Sequence, residues 1–188
     1  MRLLSVPLFL VALSFGAIAA EENNEPISKE LTARLGNRIW SAPERRLVRA
    51  TIYKMGRAGA DSNTKSKKSN EKIRLRYATA KEVGTVAAPY WLPRGSLVRL
   101  QTNQGKLLFI AADIGGSVER RSAAKSLGRN RQQKAAPVLD FCAKQQLWPD
   151  FVTVDVYYYA GKVPFPELKR SEQGALFVYA RKYFKKGT

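Results

Sequence analysis

The stretch Phe151-Val-Thr-Val-Asp-Val-Tyr-Tyr-Tyr159 is the clearest strand in the sequence. Its valines occupy alternate positions, which is the period of a β-strand with one face in a core. Shorter runs of strand character lie on either side of it, separated by turn residues, at 46–54, 73–79, 83–89, 97–100, 107–112 and 175–184. Many short strands with turns between them predict a mainly β protein with a closed or nearly closed sheet.

Two of these strands are expected to form a hairpin. Residues 97–100 and 107–112 flank Asn103-Gln-Gly105, a sequence typical of a tight turn. The run Leu107-Leu-Phe-Ile-Ala-Ala112 lacks polar alternation, so we expect both of its faces to be buried. Helices are expected only at 28–39, where leucines recur at helical spacing, and at 142–147.

The N-terminal residues have the order of a secretory signal peptide. Arg2 supplies a positive charge, residues 3–15 are almost entirely apolar, and Ala17-Ile-Ala19 provides small residues for cleavage. The apolar run is too short to span a bilayer comfortably. We therefore expect an exported protein, in the periplasm, the cell envelope or the extracellular space. An uncleaved N-terminal anchor is the alternative.

Changes in composition divide the chain into four parts. The signal peptide covers 1–19, a polar N-terminal extension 20–45, the strand-rich domain 46–160 and a C-terminal extension 161–188. Cys142 is the only cysteine, and its apolar neighbours indicate a small buried side chain rather than a reactive thiol. The chain has no His, which excludes Ser-His and Cys-His catalysis and the usual zinc sites. We expect no cofactor and no metal.

The charge of the chain is strongly positive, with a formal net value of +18. Such a charge attracts polyanions, which for an exported protein are anionic wall polymers, peptidoglycan carboxylates or a membrane surface. Export argues against nucleic acid as a partner, and no interleaved aromatic and basic pattern supports it. Residues 117–136 are the most basic stretch and are expected to meet wall polymer at the surface. A solvated basic surface without a specific partner is the alternative.

Two acids stand in apolar surroundings and are candidates for proton transfer. Asp113 follows the buried run and precedes Ile114-Gly-Gly116, and Asp140 has apolar neighbours on both sides. Desolvation favours the protonated form of a carboxyl, which can then act as an acid near neutral pH. The alternatives are structural, since Asp113 could cap a turn and Asp140 could pair with a basic side chain. Asp155, in the alternating strand, is expected to be solvated.

Four segments together resemble the three-aspartate domain, the catalytic core of the membrane-bound lytic transglycosylase A family and of related wall-active proteins. They are Gly84-Thr-Val-Ala-Ala-Pro-Tyr-Trp-Leu-Pro-Arg-Gly-Ser96, Ala112-Asp-Ile-Gly-Gly-Ser117, Val138-Leu-Asp-Phe141 and Thr153-Val-Asp-Val-Tyr157. The Pro-x-Gly-Ser turn and the Asp-x-Gly-Gly corner are the sharpest matches. Arg49-Ala-Thr-Ile-Tyr53 resembles the opening strand of the family, so the resemblance spans about residues 47–159.

The resemblance implies a fold and a reaction. The fold is a six-stranded double-psi β-barrel, and the reaction is cleavage of peptidoglycan glycan strands between N-acetylmuramic acid and N-acetylglucosamine, with a 1,6-anhydro product. The catalytic residues carry over to Asp140, as the acid/base, and to Asp113. The candidate substrate-binding residues are Thr51, Tyr53, Gly115, Gly116, Arg120 and Arg121.

Two departures from the family pattern are visible in the sequence. Ala88 stands where the family has its first aspartate, and Asp113 and Asp140 are further apart than the family places them, as an insertion within 117–136 would explain. One carboxyl suffices for a lytic transglycosylase, because the C6 hydroxyl of the sugar is a tethered nucleophile. The competing interpretation is a non-catalytic module that binds wall glycan or polyanion. Ala88 favours the module and Asp140 favours the enzyme.

Overall fold

A computed structural model describes residues 29–55, 75–87, 89, 91–113 and 135–185 of the 188-residue chain. The expected signal peptide and all but the last two residues of the basic stretch lie outside these described residues. Four of the candidate substrate-binding residues and the position of the missing aspartate also lie outside them: Gly115, Gly116, Arg120, Arg121 and Ala88.

The described residues form six strands and two α-helices. In chain order these are α1 (Lys29–Leu35), β1 (Glu44–Tyr53), β2 (Gly84–Ala87), β3 (Leu97–Thr102), β4 (Gly105–Asp113), β5 (Val138–Cys142), β6 (Phe151–Tyr157), a short 3-10 turn (Phe165–Glu167) and α2 (Arg170–Lys185). The six strands close into a mixed barrel in the order β1-β5-β2-β4-β3-β6. The expected mainly β fold, a six-stranded barrel with short helices, is confirmed.

The strand pairing has an internal symmetry: exchanging β1, β2 and β3 with β4, β5 and β6, respectively, leaves the set of strand pairs unchanged. β1 pairs in parallel with β5 and antiparallel with β6, and β4 pairs in parallel with β2 and antiparallel with β3. The remaining pairs, β2 with β5 and β3 with β6, are antiparallel, and the exchange converts each of them into itself. Two equivalent three-strand halves therefore interlock in one barrel, in agreement with the expected double-psi fold. In the closed ring, β5 lies directly across from β3.

The interior of the barrel is filled by alternate apolar residues of the strands. Phe109 and Phe141 meet with their ring centroids 4.7 Å apart, and Trp148, from the loop after β5, packs on Phe141 at 5.3 Å. Burying a side chain of this size stabilises the fold by roughly 1.5–3 kcal/mol. The strand residues of this core are Val48, Ala50, Val86, Val98, Leu100, Phe109, Ala111, Leu139, Phe141, Val154 and Val156.

A second apolar cluster lies outside the barrel wall, beneath the two helices. Ile110 and Ala112 of β4 belong to this outer cluster, whereas Phe109 and Ala111 belong to the interior. The expected burial of both faces of this strand is therefore confirmed. The helices contribute Leu31, Leu35, Leu176, Phe177 and Ala180 to the outer cluster.

Residues 175–184 belong to α2 and not to the strand that was expected. The buried residues Leu176, Phe177 and Ala180 recur at helical spacing and face the barrel. At the start of the helix, the Glu172 carboxylate accepts a 2.7 Å hydrogen bond from the backbone N–H of Lys169. The β-branched and aromatic residues of this segment favour a strand locally, but packing on the barrel outweighs that preference.

Three other local expectations need correction. Residues 143–147 are irregular rather than helical, because Cys142 ends β5. The described part of 73–79 lies outside the named strands, with a single bridge between Thr79 and Glu82. α1 ends at Leu35 because Gly36, at a φ of 86°, donates its N–H back to the Thr32 carbonyl at 2.9 Å. In the described part of the chain, neither helix has the length and apolar character needed to cross a membrane.

Candidate functional site

The strand register places both candidate acids on the outer face of one barrel wall. Thr51 of β1 pairs with Asp140 of β5, Asp140 pairs with Ala87 of β2, and Ala87 pairs with Asp113 of β4. The residues that precede Thr51, Asp140 and Ala87 point into the barrel core. Because successive side chains of a strand point to opposite faces, this row faces outward. Residues paired across neighbouring strands share a face, and Asp113 and Asp140 lie two strand spacings, or about 10 Å, apart at the backbone.

A β-bulge turns Asp113 towards this outer face. Val86 pairs with Ala111, but the next residue, Ala87, pairs with Asp113, so one residue of β4 is skipped. Without the bulge, Asp113 would continue the alternation of Phe109 and Ala111 and would point into the apolar interior. Bulges commonly re-aim a side chain in this way. The extra residue therefore brings the second carboxyl to the side that carries Asp140.

The carboxyl of Asp140 is held by a residue of the neighbouring strand. Thr51 Oγ1 donates a 2.6 Å hydrogen bond to Asp140 Oδ1, a length typical of a hydroxyl that donates to a carboxylate. Asp140 is 7% exposed and Asp113 is 9% exposed. Because little water screens them, both carboxyls interact more strongly with neighbouring charges and donors than they would at the surface.

Tyr53, Cys142 and Thr85 lie beside the two acids on the same outer face. Tyr53 pairs with Cys142 in the register, and its hydroxyl lies 3.3 Å from Thr85 Oγ1. Burial raises the pKa of the Tyr53 phenol and of the Cys142 thiol, and the charges of Asp113 and Asp140 raise both further. Tyr53 and Cys142 therefore stay protonated at neutral pH. The expected burial of Cys142 is confirmed.

Arg94 is a basic side chain close enough to Asp113 to respond to its charge. Burial lowers the pKa of the Arg94 guanidinium, and the Asp113 carboxylate acts against that shift. Gly95, at a φ of 88°, forms the turn that carries Arg94. Trp40 Nε1 donates to the Gly95 carbonyl at 2.8 Å, and the Gly95 N–H donates to the Ala111 carbonyl at 2.9 Å. The turn is thus fixed against β4, the strand that ends at Asp113.

Sequence reasoning did not select Arg94 as a site residue. The only signal was its place inside the Pro-x-Gly-Ser turn, since its proximity to Asp113 depends on how that turn packs against β4. The residues that the sequence did predict, and that the structure describes, lie together on this face: Asp113, Asp140, Thr51 and Tyr53.

Asp155, which we expected to be solvated, is half-buried and ion-paired. Arg99 Nη2 lies 2.7 Å from one of its carboxylate oxygens, and Arg45 Nε lies 3.5 Å from the other. The three residues are cross-strand partners on β3, β6 and β1. Asp155 therefore has a structural role on β6, which is separated from β5 by β1 in the closed ring.

The described residues contain no group of three or more His, Cys, Asp or Glu side chains arranged to hold a metal ion. Comparison with known proteins gives no relative: no family model matches the sequence, and no curated protein or solved structure is detectably similar to the chain. The chemistry of the site is therefore interpreted from its own residues and geometry.

Proposed function

We propose that this chain is an exported, peptidoglycan-active enzyme that cleaves the glycan strand as a lytic transglycosylase, with Asp140 as its acid/base. The main support is the row Thr51, Asp140, Ala87 and Asp113, which brings two acids far apart in sequence to one outer face of the barrel. The same residues carry the resemblance to the three-aspartate domain, and that resemblance supplies the reaction.

In the proposed reaction one carboxyl performs both proton transfers. Protonated Asp140 donates its proton to the leaving glycosidic oxygen as the bond from C1 of the muramic acid residue breaks. The resulting carboxylate takes the proton of the C6 hydroxyl of that sugar, whose oxygen then bonds to C1. The reaction consumes no water, and the tethered nucleophile needs no second residue to position it.

The neighbours of Asp140 have distinct roles in this scheme. The hydroxyl of Thr51 fixes the orientation of the carboxyl through its bond to Oδ1. Asp113, on the same face, stabilises the positive charge that develops on the sugar ring in the transition state. The guanidinium of Arg94, held in place by the turn at Gly95, interacts electrostatically with the carboxylate of Asp113.

The competing function is a non-catalytic module that holds wall glycan or anionic polymer. The near-complete burial of both carboxyls favours this alternative, because a catalytic acid has to come within hydrogen-bond distance of the oxygen that it protonates. Ala88, in place of the family's first aspartate, favours it as well.

Digestion of purified peptidoglycan sacculi tests the proposal. The mature protein, from residue 20 onward, is incubated with sacculi, and the soluble muropeptides are identified by mass spectrometry. Muropeptides with 1,6-anhydro ends support the proposal, whereas reducing ends show a hydrolase and contradict it. If the protein sediments with the sacculi but releases nothing, the chain is a binding module.

A further inference from the structure

A groove runs along the outside of the barrel, and one end of it, at Arg76, adjoins Thr85 beside the carboxyls. It consists of three clefts of about 480, 450 and 440 Å³. The first two clefts share Lys81 and Arg181, and the last two share Arg99 and Lys106. The clefts therefore adjoin one another, from residues 75–83 past α2 to the outer face of β3 and β6, and we refer to them together as the basic groove.

At Arg99 the basic groove lies across the barrel from Asp140. Arg99 is an outward residue of β3, since its neighbours Val98 and Leu100 point into the core. β3 lies opposite β5, the strand that carries Asp140. The apolar interior separates Arg99 from Asp140, and Lys106 lies near the start of β4, at the opposite end of that strand from Asp113.

Positive charge dominates the lining of the groove. Among the described residues, two acids line it, Glu82 and Asp155, and Asp155 is already paired with two arginines. Lys81, Lys106 and Arg181 form no salt bridge with any described residue. The basic residues of the lining are Arg45, Arg76, Lys81, Arg99, Lys106 and Arg181. This lining is complementary to an anionic ligand.

The shape of the groove favours a linear ligand. Its cations follow one another along three connected clefts rather than converging on one point. A flexible chain with repeated acidic groups can contact each of them in turn, whereas a flat membrane surface would meet only the rims of the clefts.

The aromatic residues of the lining do not favour nucleic acid. The Arg76 guanidinium lies 4.7 Å from the ring centroid of Phe177, Lys144 Nζ lies 6.0 Å from that of Tyr77, and the ring of Phe184 packs on Tyr157 at 4.6 Å. The bases of single strands bind by stacking on exposed rings, but these rings are already in contact with a cation or with another ring. A polyanion without bases fits this lining better.

We propose that the basic groove is a second binding site, for a linear polymer of phosphate-linked units without bases. Lys81, Lys106 and Arg181 contact the phosphates, and Arg99, oriented by Asp155, contributes a further donor. None of these four residues belongs to the basic stretch 117–136 or to the row of Thr51, Asp140, Ala87 and Asp113. It binds whether or not Asp140 is catalytic.

Binding of inorganic polyphosphate by the mature protein tests the proposal, with affinity measured by calorimetry at several salt concentrations. The groove variant is the triple substitution Lys81→Gln, Lys106→Gln and Arg181→Gln. The matched control removes two lysines and one arginine from exposed positions outside the groove, and its substitutions are Lys29→Gln, Lys169→Gln and Arg170→Gln. Thermal unfolding of each variant verifies that it is folded.

We expect the groove variant to bind polyphosphate at least about tenfold more weakly than the wild type, and the control to stay within about threefold. Raising the salt from about 50 to about 200 mM should weaken polyphosphate binding by the wild type about 20-fold more than binding by the groove variant, because the variant lacks three phosphate contacts. Equal weakening of both variants would show an effect of net charge alone and would overturn the proposal. Tighter, groove-dependent binding of a single-stranded oligonucleotide, or of anionic vesicles in place of polyphosphate, would overturn it too.

Discussion

The hydrogen bond between Thr51 and Asp140 should make a large, measurable contribution to stability. It is 2.6 Å long, and its acceptor is only 7% exposed, so little water can replace a lost donor. Hydrogen bonds to charged groups contribute about 1.5–3 kcal/mol. Thr51→Val keeps the shape of the side chain and removes the hydroxyl, so we expect it to lower the free energy of unfolding by about that amount.

A double-mutant cycle separates this bond from side-chain packing. Urea unfolding is measured for the wild type, Thr51→Val, Asp140→Ala and the double variant, and the coupling energy should be about 1.5–3 kcal/mol. Thr153→Val, on an exposed threonine of β6, serves as the control and should couple to Asp140→Ala by less than about 0.5 kcal/mol. A coupling near zero for Thr51 would refute the reasoning, because Thr51 would not then be holding the acid.

Three further predictions concern the framework of the barrel: the contrast between two glycines, the Cys142 thiol and the Trp40 hydrogen bond. Gly84→Ala should destabilise the protein by about 3 kcal/mol, because its Cβ would lie 2.6 Å from the backbone nitrogen of Ala78. Gly105→Ala, which meets no atom within 4 Å but has a φ of 115°, should cost about 1–2 kcal/mol, and equal losses in urea unfolding would contradict this. Burial raises the pKa of the Cys142 thiol, so the unfolded chain ionises first, and the stability present below about pH 9 is lost above it. The melting temperature should therefore fall more steeply between about pH 8 and 10 in the wild type than in Cys142→Ala, and parallel curves would show that folding does not raise the pKa of the thiol. Trp40→Phe removes a buried donor to the Arg94 turn and should cost about 1–3 kcal/mol in urea unfolding, whereas wild-type stability would show that the turn is held without it.

The strands could be predicted from sequence where a local pattern reflects a local environment. Residues 151–157 alternate because one face lies in the barrel core, and 107–112 do not alternate because two different clusters cover the strand. Residues 175–184 misled the prediction, because Val178 and Tyr179 favour a strand while the packing of Leu176 and Ala180 selects a helix.

The site could be predicted only in part. Asp113 and Asp140 stood out because each carboxyl lies in apolar sequence, but their common face depends on a register shift in β4 that no local pattern indicates. The basic groove escaped sequence reasoning for a related reason. Its cations come from separate parts of the chain, such as Arg99, Lys106 and Arg181, and only the closed barrel brings them together.

The release of 1,6-anhydro muropeptides by Asp140→Asn, compared with the wild type, tests the central claim most directly. Asparagine keeps the shape and an acceptor for Thr51 but cannot relay a proton, so the rate should fall by about 10² to 10⁴. Asp113→Asn should weaken activity less, and Asp150→Asn, at an exposed acid outside the site, should match the wild type. Wild-type release by Asp140→Asn would contradict the account, because the proton would then come from another group.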